Sequence, residues 1–161
     1  MELWDAYDVN FNIVNGKILV RDEEIPEGLY HLVSEILVKH SDSTYLLMQR
    51  DSRKTFGGFW EATAGGSALQ GETPLECAIR ELREETGIVE ENLIEVGRVI
   101  NHRQQSIYVD YIVETSCDKT SIVLQDGETQ DYKWVSADYI KSMPADELIT
   151  KRMKIFVKEI Y

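Results

Sequence analysis

A chain of 161 residues, 43% hydrophobic and 29% charged, is long enough to bury a core as one domain over residues 1–161. Its 29 acidic against 17 basic residues give a formal charge of −12. That balance excludes polymeric nucleic acid as a partner, because such binding is dominated by Lys and Arg on phosphates. No apolar run nears the ~18 residues of a membrane helix. The opening Met1-Glu2-Leu3-Trp4-Asp5 is acidic where a signal peptide is basic and then apolar, so the expectation is a cytoplasmic protein with no membrane partner. Cys77 and Cys117 are too few for a disulfide framework or a zinc site. Each reads as a structural thiol, Cys77 as a small, partly buried one.

In chain order, Asn15-Gly16 between Ile13-Val14 and Ile18-Leu19-Val20 predicts a hairpin with a type I′ turn. A polar stretch from Arg21 to Gly28 follows. Tyr30 to Lys39 is apolar and rich in β-branched residues, which predicts a buried strand, with Tyr45 to Gln49 as its partner. His31 opens that strand, where a lone histidine is usually structural. Arg50, Arg53 and Lys54 form a basic cluster just ahead of Phe56-Gly57-Gly58-Phe59-Trp60, and cations in an acidic chain suit phosphate oxygens. Trp60 to Thr63 then leads as a strand into Gly65-Gly66.

Thr73-Pro74-Leu75-Glu76 opens a helix with Thr as N-cap, Pro at the first position and Glu closing a capping box. Gly87 supplies the stop. Over about three and a half turns, Leu75, Ala78, Ile79 and Leu82 gather on one face, which should be buried. Glu81, Glu84 and Glu85 share a neighbouring strip by their i, i+3 and i+4 spacing. Clustered glutamates are ordinarily a solvated face, but carboxylates on a rigid helix also supply oxygen ligands for Mg²⁺ or Mn²⁺. Arg80, one turn before Glu84, can pair with it and orient it. After the helix, Leu93 to Asn101 and Ser106 to Thr115 read as strands joined by a polar turn. The second alternates Ile107, Val109, Tyr111 and Val113 on one face. Asp131 to Val135 reads as a short strand, and two helices close the chain, around Ser136 to Met143 and Asp146 to Tyr161. Strands and helices in this mixed order give an α/β sandwich.

The pattern Gly66, five residues, Glu72, seven residues, Arg80-Glu81-Leu82, one residue, Glu84-Glu85, one residue, Gly87-Ile88 resembles the complete box of the Nudix family. The resemblance implies an α/β/α sandwich with a central mixed sheet and Mg²⁺- or Mn²⁺-dependent hydrolysis of a small-molecule diphosphate linked to a further group X. It implies a metal site at Glu81, Glu84, Glu85 and the Gly65 carbonyl, with Arg80 orienting the glutamates, and a monomer or homodimer. Outside the box the chain is similar to the branch around isopentenyl-diphosphate isomerase, through Leu3-Trp4-Asp5, Tyr30-His31-Leu32, Gln49-Arg50, Lys54, Trp60 and Glu128 six residues before Trp134. That likeness implies Arg50 and Lys54 as diphosphate contacts and His31 and Glu128 as metal or base candidates. Glu81, Glu85 and Glu128 all stand as possible general bases. Where those isomerases carry an acid-base cysteine and, two positions on, a histidine ligand, this chain has Gly65 and Ser67. Gly65 has no group to move a proton. The expectation is a hydrolase, with an isomerase or a non-catalytic metabolite-sensing module as alternatives. Trp60, Phe56, Phe59 and Tyr108 are aromatic candidates for covering X.

Overall fold

A computed structural model describes residues 1–149. In chain order the elements are β1 (Leu3–Tyr7), β2 (Ile13–Val20), β3 (His31–His40), β4 (Tyr45–Arg50), β5 (Trp60–Glu61), β6 (Ala64–Ser67), α1 (Pro74–Thr86), β7 (Ile94–Asn101), β8 (Ser106–Thr115), β9 (Thr129–Val135) and α2 (Ala137–Ser142). The main sheet runs β5-β4-β3-β8-β7, with β6 also on β3 and β9 on β4. Strand β3 is its axis. It lies parallel to β8 from His31 opposite Ser106 to His40 opposite Thr115, and antiparallel to β6 from Val33 opposite Ser67 to Ile36 opposite Ala64.

Side-chain alternation sorts the core onto the two faces of this mixed sheet. Ile36, Val38, Leu46 and Met48 pack with Cys77, Ala78 and Leu82 of α1. Leu37, Tyr45 and Leu47 pack with Ala137 and Ile140 of α2. The result is the expected α/β/α sandwich.

Four expectations are corrected. The chain does not reverse at Asn15-Gly16: β2 runs through it, and the pairing slips between Asp5 opposite Ile18 and Tyr7 opposite Ile13. Gly16, at φ 76°, absorbs a bulge. Asp8 makes the actual turn, its carboxylate accepting from the Asn10 and Asn12 amides at 2.8 and 3.0 Å, a local carboxylate-to-amide closure that outcompetes the Asn-Gly signal. Second, β4 pairs with β3 only at Lys39 and Tyr45. It then diverges to β5 and β9, which leaves the flank of β3 to β6.

Third, the buried side of α1 is Cys77, Ala78, Leu82 and Thr86, while Leu75 is 39% exposed and Ile79 half-buried. The small side chains at 77 and 78 let the helix settle against the glycines of β6, which rolls Leu75 and Ile79 outward. Cys77 is therefore fully rather than partly buried. Fourth, no helix begins at Asp146. Glu147 and Ile149 instead bond the Trp60 backbone at 2.7 and 2.9 Å; Met153, Phe156 and Ile160 lie outside the described residues.

The ends of α1 form as its sequence dictates. Thr73 accepts from the Glu76 amide at 3.2 Å and the Glu76 carboxylate accepts from the Thr73 amide at 2.8 Å, satisfying donors the helix start leaves open. Gly87, at φ 77°, closes the other end with its amide on the Arg83 carbonyl.

Candidate active site

Strand β6 and helix α1 build the site together. A Cβ at Gly66 would overlap the Glu81 carboxylate, so glycine is what lets that side chain lie across the strand. From the other side, the buried Cys77 thiol donates to the Gly66 carbonyl at 3.4 Å. The Gly65 amide donates to Glu85 at 3.1 Å. Glu81 and Glu85, one turn apart, therefore both face the glycine strand.

Arg80 is the hub beneath them. Its guanidinium donates to Glu72 at 2.6 and 2.9 Å, to the Ser67 carbonyl at 3.1 Å, to Glu81 at 2.7 Å and to Glu84 at 3.2 Å. This fork ties the box's early glutamate, the loop and two of the three clustered carboxylates into one unit.

These groups open onto a cavity of about 380 Å³ lined by Gly65, Arg80, Glu81, Glu84, Glu85, Lys54 and Glu128. Of the other predicted site residues, Arg50 lines a neighbouring cavity of about 180 Å³. There it donates to Glu61 at 3.0 Å and to the Thr55 carbonyl at 2.9 Å. Lys54 lines both cavities and is ion-paired with Glu128.

The electrostatics are those of a site short of positive charge. Burial, and then the Glu81 charge, push the Glu85 carboxyl up to about 8. Burial raises Glu81 as well, against the pull of Arg80. Burial also raises Glu61 and lowers Lys54, the latter with help from Arg50. Among the described residues no group of three or more His, Cys, Asp or Glu is already gathered as a metal cage. Arg80 holds Glu81 and Glu84 to itself.

His31 does not reach the two cavities. Its ring stacks on Trp4 at 4.5 Å and sits 3.2 Å from the Gln105 carbonyl, and burial lowers its pKa. Trp60 packs into the α2-side core under Lys133, 4.0 Å above its ring. Phe56 is exposed, with Phe59 5.6 Å away. Of the aromatic candidates, Tyr108 lines the smaller cavity. The turn before it is structural: Gln105 bonds the Pro26 and Leu29 carbonyls at 2.8 and 3.1 Å.

Two groups of lining residues carry no local signal or a faint one. Glu2, Trp4, Arg21 and Asp22 wall the larger cavity from the N-terminal hairpin, a placement that only the folded chain produces. Glu61 is readable in hindsight, since alternation about Trp60 and Ala62, both in the α2-side layer, turns it toward the box.

The sandwich and its carboxylate-lined cleft beside a Gly-Gly strand define a class of protein. A family model described as the NUDIX domain matches residues 30–157, and the chain belongs to the Nudix family. It is 26% identical over 144 residues to an uncharacterized Nudix hydrolase of Listeria monocytogenes, covering 89% of this chain and 85% of that one. It is 29% identical over 116 residues to an NAD-capped RNA hydrolase of Pseudomonas putida, covering 72% of this chain and 40% of that one. A solved protein of Deinococcus radiodurans shares the fold at a TM-score of 0.77 and 17% identity, over 99% of both chains. No helix among the described residues is long and apolar enough to cross a membrane.

Proposed function

We propose that the protein hydrolyses a diphosphate bond in a small organic diphosphate, using a divalent metal held by Glu81, Glu84, Glu85 and the Gly65 carbonyl. The observation that carries this reading is the pair Glu81 and Glu85, two half-buried carboxylates facing one glycine strand, of which Glu81 is held by Arg80 while burial and then the Glu81 charge raise Glu85 to about 8. Hard carboxylate oxygens, one of which a cation would hold in its charged form, fit Mg²⁺ or Mn²⁺. When bound, such an ion offsets diphosphate charge and acidifies a coordinated water.

The chain's own residues do the rest. Arg80 holds Glu81 and Glu84 in place through its hydrogen bonds. Lys54, at the junction of the two cavities, takes phosphate oxygens and steadies the leaving phosphate, with Arg50 behind it. Glu128 faces the larger cavity outside the Arg80 cluster, and it accepts the proton of the attacking water once Lys54 has turned to the substrate.

The likeness to the isomerase branch supports a related frame and not its reaction. Gly65 offers no acid, and the nearby Cys77 thiol is pushed up to about 12 by burial, too weak an acid to protonate an alkene at neutral pH. The test is a product assay over nucleoside diphosphate sugars, dinucleotides, nucleoside triphosphates and isoprenoid diphosphates, with and without Mg²⁺. Metal-dependent cleavage of one member, lost in Glu84→Gln, Glu85→Gln, is expected. Turnover unchanged in that variant overturns the reading, and a ligand that raises the melting temperature without being consumed replaces it with a sensing module.

A further inference from the structure

Strand β1 lines the site with one face and supports it with the other. Alternation along the strand turns Glu2 and Trp4 toward the larger cavity, which they wall, and Asp5 and Tyr7 away from it. With Gly71 and Glu72, Asp5 lines a separate space of about 440 Å³, so it is not placed to touch a substrate. It accepts a hydrogen bond from the Gly71 amide at 2.8 Å. Earlier in the strand, the Leu3 carbonyl accepts from the Gln70 amide at 2.8 Å.

The loop held in this way carries the anchor of Arg80. Glu72 accepts from the Arg80 guanidinium at 2.6 and 2.9 Å and, with the same carboxylate, from the Leu69 amide at 2.8 Å. The Ser67 carbonyl accepts from Arg80 as well. Ala68 and Glu72 donate to the Leu32 and Leu69 carbonyls at 2.9 and 3.0 Å. The amides between them, those of Gln70 and Gly71, depend on β1. Gly71, at φ 85°, takes the left-handed turn that glycine favours and that lets both face the strand. The Asp5 bond is the stronger of the two, because a carboxylate acceptor is charged. Glu72 is the next residue, so a shift of Gly71 moves the carboxylate that fixes Arg80.

A brace holds only if its own seat is fixed. Trp4 stacks on His31 and donates to Glu2 at 2.7 Å, and Tyr7 and Tyr30 exchange backbone hydrogen bonds at 2.9 and 3.0 Å. Trp4, Ala6 and Leu19 form a small core of their own.

We propose that Asp5 is a positioning residue of the candidate site: through the Gly71 amide it holds Glu72, and through Glu72 the Arg80 fork that places Glu81 and Glu84. The β1–β2 hairpin, which precedes the family domain at residues 30–157, is then part of the active centre and not an appendage to it. This rests on the reading of Glu81, Glu84 and Glu85 as the metal site.

The experiment compares the full chain with Asp5→Ala, Asp5→Asn and Asp8→Ala, the last loosening the far turn of the same hairpin, and with Asp5→Ala placed in Glu72→Gln. Each is first shown to melt cooperatively. Amide hydrogen exchange at Leu69 reads the grip of Glu72, while calorimetric Mg²⁺ titration and steady-state kinetics read its consequence. Asp5→Ala is expected to lower Leu69 protection and kcat by about tenfold each, and to weaken Mg²⁺ binding by a smaller factor. KM for the diphosphate substrate should change by less than about twofold. Asp5→Asn keeps an acceptor oxygen and should recover most of the loss, and Asp8→Ala should cause none of it. In Glu72→Gln, Asp5→Ala should add less than about twofold, because residues acting through one another are not additive. Unchanged Leu69 exchange in Asp5→Ala overturns the proposal, as does faster exchange with Mg²⁺ binding and kcat intact. An equal loss in Asp8→Ala, or full additivity with Glu72→Gln, overturns it too and reduces Asp5 to a support for the hairpin. If no diphosphate is hydrolysed while Leu69 exchange and Mg²⁺ binding follow the expected pattern, the brace on Arg80 stands and the hydrolase reading falls.

Discussion

Gly66 and Glu81 occupy one another's space: the volume a side chain at 66 would fill holds the Glu81 carboxylate. Gly66→Ala must therefore displace Glu81 from the glycine strand, or lift α1 from the sheet. An error of about 1 Å in a reacting constellation costs on the order of 10²-fold, so kcat/KM for the best substrate should fall by about that factor. Steady-state kinetics across Mg²⁺ concentrations check this, and the apparent metal affinity should weaken too. A variant with wild-type metal dependence would show that Glu81 is not a ligand.

Glu85 makes the metal-free protein sensitive to pH in a direction that can be stated. Its folded pKa, about 8, lies above the ordinary glutamate value of 4.5. The folded state therefore holds the proton more tightly than the unfolded one. The stability this represents is fully present below about pH 4.5 and is lost as pH rises through about 8. Melting of the metal-free protein should fall between pH 5 and pH 8 on this account, and Glu85→Gln should flatten that slope. Mg²⁺ held as proposed would displace the same proton, so affinity should rise with pH up to about 8 and level off above it. Calorimetry in two buffers of different ionisation enthalpy reads the released proton directly. Equal slopes in the wild type and Glu85→Gln would assign the pH response to another group.

The helix that carries the candidate site was more legible in the sequence than the sheet beneath it. Thr73, Pro74, Glu76 and Gly87 act within one or two turns of themselves, so their capping roles were readable and are found as expected. The spacing of Glu81, Glu84 and Glu85 is likewise a property of one helix. Pairing is not local: nothing in Tyr45 to Gln49 says that β6, rather than β4, continues along β3. Asn15-Gly16 carries a strong turn signal that a neighbouring Asp8 turn overrides. The outward roll of Leu75 depends on how closely Cys77 and Ala78 approach two glycines some ten positions earlier. The walls given by Glu2, Arg21 and Glu61 arise from contacts across the whole domain.

Thr73→Ala removes one half of the capping box and leaves the amide of Glu76 without its acceptor. N-cap losses of this kind cost about 1 kcal/mol, or about 2–4 °C of melting temperature for a chain of this size. Thermal unfolding monitored by circular dichroism is the check, with turnover at 25 °C unchanged because the cap lies two turns from Glu81. A fall in turnover without a fall in melting temperature would place Thr73 in the site instead.

Lys54 and Glu128 make opposite demands on one another. Paired as they are, the lysine is unavailable to phosphate and the glutamate unavailable to a water proton, so on the proposed reading substrate binding breaks the pair and frees both. Glu128→Gln removes the internal competitor. Inorganic diphosphate should then bind more tightly, by a severalfold factor in keeping with a partly exposed ion pair, while kcat falls by about 10²-fold or more for want of a base. Lys54→Met should do the reverse to binding, weakening it by about tenfold through loss of a charge-assisted contact. The two variants therefore separate affinity from turnover in opposite directions. If Glu128→Gln weakens diphosphate binding and leaves kcat intact, the pair is a structural clasp between the loops on either side of the cavity, and the proton must go to Glu81 or Glu85.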